Sequence, residues 1–298
     1  MMKQMEKKLL NSDARRQTRN GSAPGRSAKS YSRSVLPASR PKKSLGQNFL
    51  MHARIAERIA LVANLARDAV VLEIGPGTGM LTRELLKLAG KVIAVEADHE
   101  LFEKLQVDFT NEINSGCLEL IHGDIRDWNF GMYLNSRYSV KDGTCDYKLV
   151  ANIPYYLTGE IFRMFLGADK QPSSMTLLVQ KEVAERIARA KKESILSLSV
   201  KAYGEPKYEF TVPRGAFKPA PNVDSAVLTI RGISRINFTT QEEERRFFAL
   251  LHAGFAHKRK YVRKNLLEVG LPSGDIPEKA RAEDMPLSDW LALVRHPL

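Results

Sequence analysis

The sequence predicts an α/β fold: a mainly parallel, doubly wound sheet with an antiparallel strand pair at one edge, followed by a small α-helical domain. Three observations predict it. Short apolar runs alternate with helical periodicities from Val70 to Ala190. Two later runs, Tyr208–Val212 and Ala226–Arg231, flank a Pro-rich loop with no helical pattern between them, which suits an antiparallel edge hairpin. Beyond Ile233 only helical periodicity remains.

The elements follow in order. Ile55, Ile59, Val62 and Leu65 recur at helical spacing between His52 and Ala66. Val70–Ile74 is a continuous apolar strand leading through a glycine-rich turn into a helix from Gly79 to Leu88. Lys91–Glu96 is a second strand, and His99–Phe109 a helix for which Asp98 supplies the N-cap. Leu118–His122, Lys148–Ala151 and Met175–Gln180 are further strands, with helices at Thr158–Leu166 and Glu182–Ala190. The terminal helices are expected at Glu242–Ala256, Lys258–Val269 and Leu287–Val294. The domain boundaries expected from this pattern are 1–40, 41–232 and 233–298.

Composition narrows the class. Hydrophobic residues make up 43% of the 298, enough for a full core. No run of about 18 apolar residues predicts a transmembrane helix, and no apolar segment near the start reads as a secretory signal. Cys117 and Cys145 are too few and too separated for a metal cluster; they read as reduced, packed thiols of a cytoplasmic protein. No metal is expected. The net charge of +12 points to a polyanionic partner. Its distribution matters more: residues 1–40 hold ten Lys or Arg against two acids, so most of the excess lies there. That tail lacks apolar periodicity and reads as disordered. An RNA-binding arm, a dispensable solvated extension and a mitochondrial transit peptide all remain open for it.

The sharpest local signal is Val70-Val71-Leu72-Glu73-Ile74-Gly75-Pro76-Gly77-Thr78-Gly79, a buried strand entering a turn spaced G-x-G-x-G. Glycine is needed where a Cβ would keep a ligand off the backbone or forbid positive φ. A dinucleotide fingerprint needs G-x-G-x-x-G, and the residue three past Gly79 is Thr82. Two acids stand at the next strand ends. Glu96 can accept ribose hydroxyls, and Asp124 can take an exocyclic adenine amine. The fourth strand ends in Asn152-Ile153-Pro154-Tyr155-Tyr156. This resembles the motif of amino-methylating enzymes, and the resemblance implies an adenine N6 as acceptor, a poor nucleophile because its lone pair is delocalised into the ring. Acceptors on its hydrogens, here the Asn152 side-chain oxygen and the Ile153 carbonyl, expose that lone pair. Pro154 stiffens the turn, and Tyr155 can stack on the base.

The glycine turn resembles that of class I methyltransferases, which bind S-adenosylmethionine on a Rossmann-like sheet. Asn152–Tyr155 resembles the N-I/L-P-Y motif of rRNA adenine dimethylases. Gln47-Asn48-Phe49-Leu50, VPRGAFKPAPNVDSAV (Val212–Val227) and FAHKRKYVRKNL (Phe255–Leu266) are similar to further motifs of the KsgA-type small-subunit rRNA adenine dimethyltransferases, in the same order from Pro41 to Val294. Residues 1–40 have no counterpart in that pattern, and Gly159 stands where members often carry Ser or Thr.

The resemblance implies that Asn48, Leu50, Gly75, Glu96, Asp124 and Asn152 contact S-adenosylmethionine. It implies that Asn152, Pro154 and Tyr155 form the catalytic segment, with Tyr155 and Phe217 sandwiching the target adenine. The implied partner is small-subunit rRNA in an immature subunit, and the implied state a monomer. Lys258, Arg259, Lys260, Arg263 and Lys264 are expected on one helix, where the i,i+4 pairs Arg259/Arg263 and Lys260/Lys264 face phosphates while Val262, Leu266 and Val269 face the core. Two alternatives stand beside this reading: an Erm-type large-subunit rRNA dimethylase, and a non-catalytic RNA-binding assembly or transcription factor on the same fold.

Overall fold

The computed structural model describes residues 41–42, 45–137, 146–271 and 273–295. The basic tail and Cys145 lie outside them.

The main sheet has seven strands: β2 (Val70–Ile74), β3 (Lys91–Glu96), β4 (Leu118–His122), β5 (Tyr147–Asn152), β6 (Ser174–Gln180), β7 (Glu205–Val212) and β9 (Ser225–Arg231). Their order is β4-β3-β2-β5-β6-β9-β7. All neighbours pair in parallel except those of β9, which runs antiparallel to both β6 and β7. The expected edge hairpin is therefore present, with its second strand inserted inside the sheet. A separate two-stranded ribbon joins β1 (Phe49–Leu50) to β8 (Phe217–Lys218), pairing Leu50 with Phe217.

The central strands are apolar along their length because both sheet faces are covered. Alternate residues separate into two cores. Val71, Val92, Ala94, Val150 and Leu178 face one side, with Ala56 and Ile59 of α1 (Ala53–Val62), Leu81 and Leu85 of α2 (Met80–Leu85) and Leu105 of α3 (His99–Asp108). Leu72, Ile93, Leu149, Ala151 and Leu177 face the other, with α5 (Phe130–Arg137), α6 (Thr158–Leu166), α7 (Lys181–Ala188) and α8 (Ile195–Lys201). A short α4 (Thr110–Asn114) follows α3. Among the described residues no helix is long and apolar enough to cross a membrane.

The last three helices are α9 (Gln241–Gly254), α10 (Val262–Glu268) and α11 (Leu287–Arg295). Phe247, Leu250, Leu266 and Trp290 join the same core as the second sheet face. Gly254 is required here. A Cβ on it would lie 2.3 Å from the Trp290 ring, which is wholly buried. Gly254→Ala is expected to destabilise by about 1–3 kcal/mol through overpacking. A lowered urea midpoint with unchanged slope would register it.

Three expectations need correction. Lys258, Arg259 and Lys260 are not helical: α9 ends at Gly254, and α10 begins only at Val262. The break is held from a distance. The buried Asn265 side chain donates to the carbonyl of Gly254 at 2.6 Å, and the Val262 amide donates to Ala280 at 2.9 Å. A continuous helix would keep both carbonyls and amides for itself. The i,i+4 stripe therefore does not form. Val269 is 59% exposed and faces away from the core that buries Val262 and Leu266. Cys117 is exposed rather than packed, since it precedes the first residue of an edge strand.

Candidate active site

Strand order reverses between β2 and β5: the chain builds β2, β3 and β4 outward, then returns to the other side of β2. Open α/β sheets bind ligands at the carboxyl ends of the strands flanking such a point. The residues placed there are the Gly75–Gly79 turn after β2 and Asn152 at the end of β5.

One cavity at this crevice is lined by Asn48, Leu50, Gly75, Glu96, Asp124, Asn152, Pro154 and Tyr155. The sequence-derived cofactor residues and catalytic segment thus meet around a single space. Gly75 has φ +64°, and a Cβ built on it would meet nothing within 4 Å, so the backbone edge lies open to a ligand. Gly79 is required for a different reason: at φ +74° its Cβ would strike the Phe109 ring at 2.5 Å.

Glu96 is buried. Its Oε2 accepts the Gly77 amide and its Oε1 the Asp98 amide, each at 2.9 Å. Burial raises its pKa, and these backbone donors oppose the rise. Each oxygen keeps a second lone pair for a ligand hydroxyl. Asp124 caps the 3-10 turn Ile125–Asp127, accepting the Arg126 amide at 2.9 Å. The Arg126 guanidinium also grips it, through Nε at 3.0 Å and Nη2 at 2.6 Å, and holds the carboxyl below its usual range.

The Asn152 amide is oriented. Its Nδ2 donates to the Asn48 backbone carbonyl at 3.2 Å. That contact assigns Oδ1 as the acceptor left for a ligand, which is the polarity needed to receive an amine hydrogen. The Tyr155 hydroxyl is paired with Ser225 Oγ at 2.6 Å, which fixes its ring at the cavity wall. Tyr156 is 56% exposed beside it.

Phe217 sits differently. It is buried among the residues of the α1 side of the sheet and is not part of the cavity lining. Of the five basic residues, all are exposed, but Lys260 is paired with Glu268 at 2.6 Å and Arg263 with Glu278 at 3.8 Å.

Three participants were missed in the sequence. Glu73 lines the cavity at 1% exposure, with Oε2 lacking any hydrogen-bond partner. An acid inside an apolar strand was its signal. Arg126 was hidden by its ordinary loop setting. Gln47 was visible only as part of a motif; its side chain reaches Asp98. Asp98 is the expected N-cap of α3, accepting the Glu100 amide at 3.1 Å, and is more besides.

A reversed-order parallel sheet ending in an antiparallel strand pair, a G-x-G-x-G turn with an open edge in place of the dinucleotide spacing, and a buried acid at the next strand end are together the arrangement of a class I methyltransferase. The donors and acceptors lining this cavity fit S-adenosylmethionine as the methyl donor. The particular family is equally plain: residues 38–294 match the family model described as ribosomal RNA adenine dimethylase, and the chain belongs to that family. It is 39% identical over 264 residues to ribosomal RNA small subunit methyltransferase A of Dehalococcoides mccartyi, spanning 85% of this chain and 87% of that one. It is 35% identical to the protein of the same name from Fusobacterium nucleatum, spanning 85% and 96%. Among solved structures, the 23S rRNA methyltransferase ErmE superposes with a TM-score of 0.65 at 25% identity, over 83% of this chain and 98% of that one. A dimethyladenosine transferase from Plasmodium falciparum shares the fold, with a TM-score of 0.64 at 24% identity, over 82% and 95%.

Proposed function

We propose that this chain dimethylates the N6 amino groups of two adjacent adenosines near the 3′ end of small-subunit rRNA during ribosome assembly. S-adenosylmethionine, held by Asn48, Leu50, Gly75, Glu96 and Asp124, supplies an electrophilic methyl group on a sulfonium.

The observation that carries the reading is the Asn152 amide, with Nδ2 engaged by Asn48 and Oδ1 left as acceptor beside the glycine turn. Oδ1 and the Ile153 carbonyl accept the two N6 hydrogens, which draws the nitrogen toward a tetrahedral shape and turns its lone pair outward. Tyr155 stacks on the base, worth about 1–3 kcal/mol. With the donor bound, the methyl–sulfur bond would break as the N6–methyl bond forms, leaving a neutral thioether, and the N6 ammonium would lose its proton to water, so no separate base is required. For Phe217 to close the other face of the base, its side chain has to leave the apolar cluster that buries it.

The 35–39% identity to proteins named for the small subunit supports that substrate over large-subunit RNA. Purified immature small subunits are expected to gain N6,N6-dimethyladenosine, read by nucleoside mass spectrometry. Preference for naked large-subunit RNA would overturn the assignment. We further assign RNA binding to the segment 233–298 through exposed Lys258, Arg259, Lys260, Arg263 and Lys264. Reversing the charge of Arg259 and Arg263 is expected to weaken RNA binding and flatten its salt dependence by about one to two phosphate contacts. An unchanged salt slope would place the contact surface elsewhere. Cytoplasmic location and a monomeric state complete the proposal.

A further inference from the structure

We propose that Gln47 and Asp98 are positioning residues: through the strap from Leu45 to Leu50 they set the orientation of the Asn152 amide. The proposal rests on the reading of Asn152 as the acceptor for the target amine.

A side-chain amide presents its oxygen or its NH2 group on rotation by half a turn, and the two ends have opposite effects on an incoming N–H. Only the oxygen accepts. In this protein the choice is made by the Asn48 carbonyl, which takes the Asn152 Nδ2. The position of that carbonyl therefore decides the polarity of the site.

The strap that carries Asn48 is anchored at both ends. On its far side, Leu50 pairs with Phe217, and the Met51 amide donates to Ala216 at 2.9 Å. On its near side the anchor is one buried carboxylate. Asp98 Oδ2 accepts Gln47 Nε2 at 2.9 Å, and Oδ1 accepts Lys42 Nζ at 2.8 Å. The Gln47 Oε1 turns back to accept the Lys42 amide at 2.8 Å, so this one side chain joins Lys42, the strap and Asp98. Asp98 is 2% exposed and serves at the same time as the cap of α3. Its own amide is held by Glu96, which also holds Gly77. A continuous path of hydrogen bonds thus runs from the glycine turn through Glu96, Asp98 and Gln47 to the strap, and from Asn48 to Asn152. Displacing reacting groups by about 1 Å costs on the order of 100-fold in rate, so a loosened strap acts on turnover.

A reciprocal exchange tests the latch. Gln47→Glu sets two carboxylates against each other. Adding Asp98→Asn restores a donor opposite an acceptor, and asparagine serves as well as aspartate at an N-cap. In the full chain, Gln47→Glu is expected to lower kcat about tenfold or more, with KM for RNA within about twofold. The double variant is expected to recover most of that loss. In cofactor-free protein, the Asn152 side-chain amide resonance, assigned by its absence in Asn152→Ala, is expected to shift in Gln47→Glu and return in the double variant. A double variant no better than Gln47→Glu, or a loss confined to cofactor affinity by calorimetry, overturns the proposal. If Gln47→Glu fails to fold, Gln47→Ala takes its place, and an unmoved Asn152 resonance there overturns it equally. The resonance is read without RNA or cofactor. A wild-type chain that methylates no RNA while the resonance moves as described sinks the functional reading and leaves the latch standing.

Discussion

Asn152→Ala is expected to reduce methyl transfer by about 100- to 1,000-fold, the loss typical of removing one preorganised polar group aimed at a reacting centre. The reasoning is geometric. The Asn152 side chain supplies one of two acceptors at the end of β5, and its orientation is already set by Asn48. Alanine removes that acceptor and leaves the N6 lone pair in the ring. It leaves untouched the exposed basic residues assigned to RNA. Single-turnover transfer of a radiolabelled methyl group should therefore collapse while RNA retention on filters stays within about twofold of wild type. Equal turnover in the variant would remove Asn152 from the reaction.

The second large effect concerns Glu73 and alkaline pH. Burial pushes the Glu73 carboxyl up to about 8; the nearby Thr82 hydroxyl acts the other way and the Glu96 charge adds to the rise. In the unfolded chain it ionises near 4.5. Between those values the folded protein holds a proton that the unfolded chain has released. Stability therefore falls as pH rises: the cost is absent below about 4.5, grows through the interval and is complete above about 8. At about 1.4 kcal/mol per pH unit, this amounts to roughly 5 kcal/mol. Glu73→Gln has no such proton to lose. Its stability advantage over wild type, from urea unfolding, is expected to widen from pH 5 to about pH 8 and then level off. A gap that stays constant would mean that Glu73 ionises normally in the fold.

The strands were legible because each is an apolar run bounded by turn residues, and burial on both faces leaves little room for anything else. The glycine turn and Asn152 were legible because their chemistry restricts residue type. Helix ends were less so. Lys258–Lys260 carry the charge pattern of a helix face, yet Asn265 and Ala280 break the chain there through contacts that no local window contains. The helix Ile195–Lys201 carries no clear helical period, since Leu196-Ser197-Leu198-Ser199 alternates as a strand does; its mark is the capping box at Ser194. Phe217 could be placed in a loop by its motif, but its burial depends on pairing with a segment near the other end of the chain. Glu73 stands in the strongest motif, yet a sequence shows an acid and not whether water reaches it.

The ribbon formed by β1 and β8 has a bearing on how the protein assembles. Its two members flank the whole of the seven-stranded sheet in sequence, apart from the final strand. Closing so long a loop is entropically costly, and contacts of that separation form after local ones. The wall of the crevice that carries Asn48 to Leu50 is thus expected to close last. During refolding, the helical signal returns ahead of any capacity to hold a nucleoside, and a nascent chain stays incompetent until its later strands emerge.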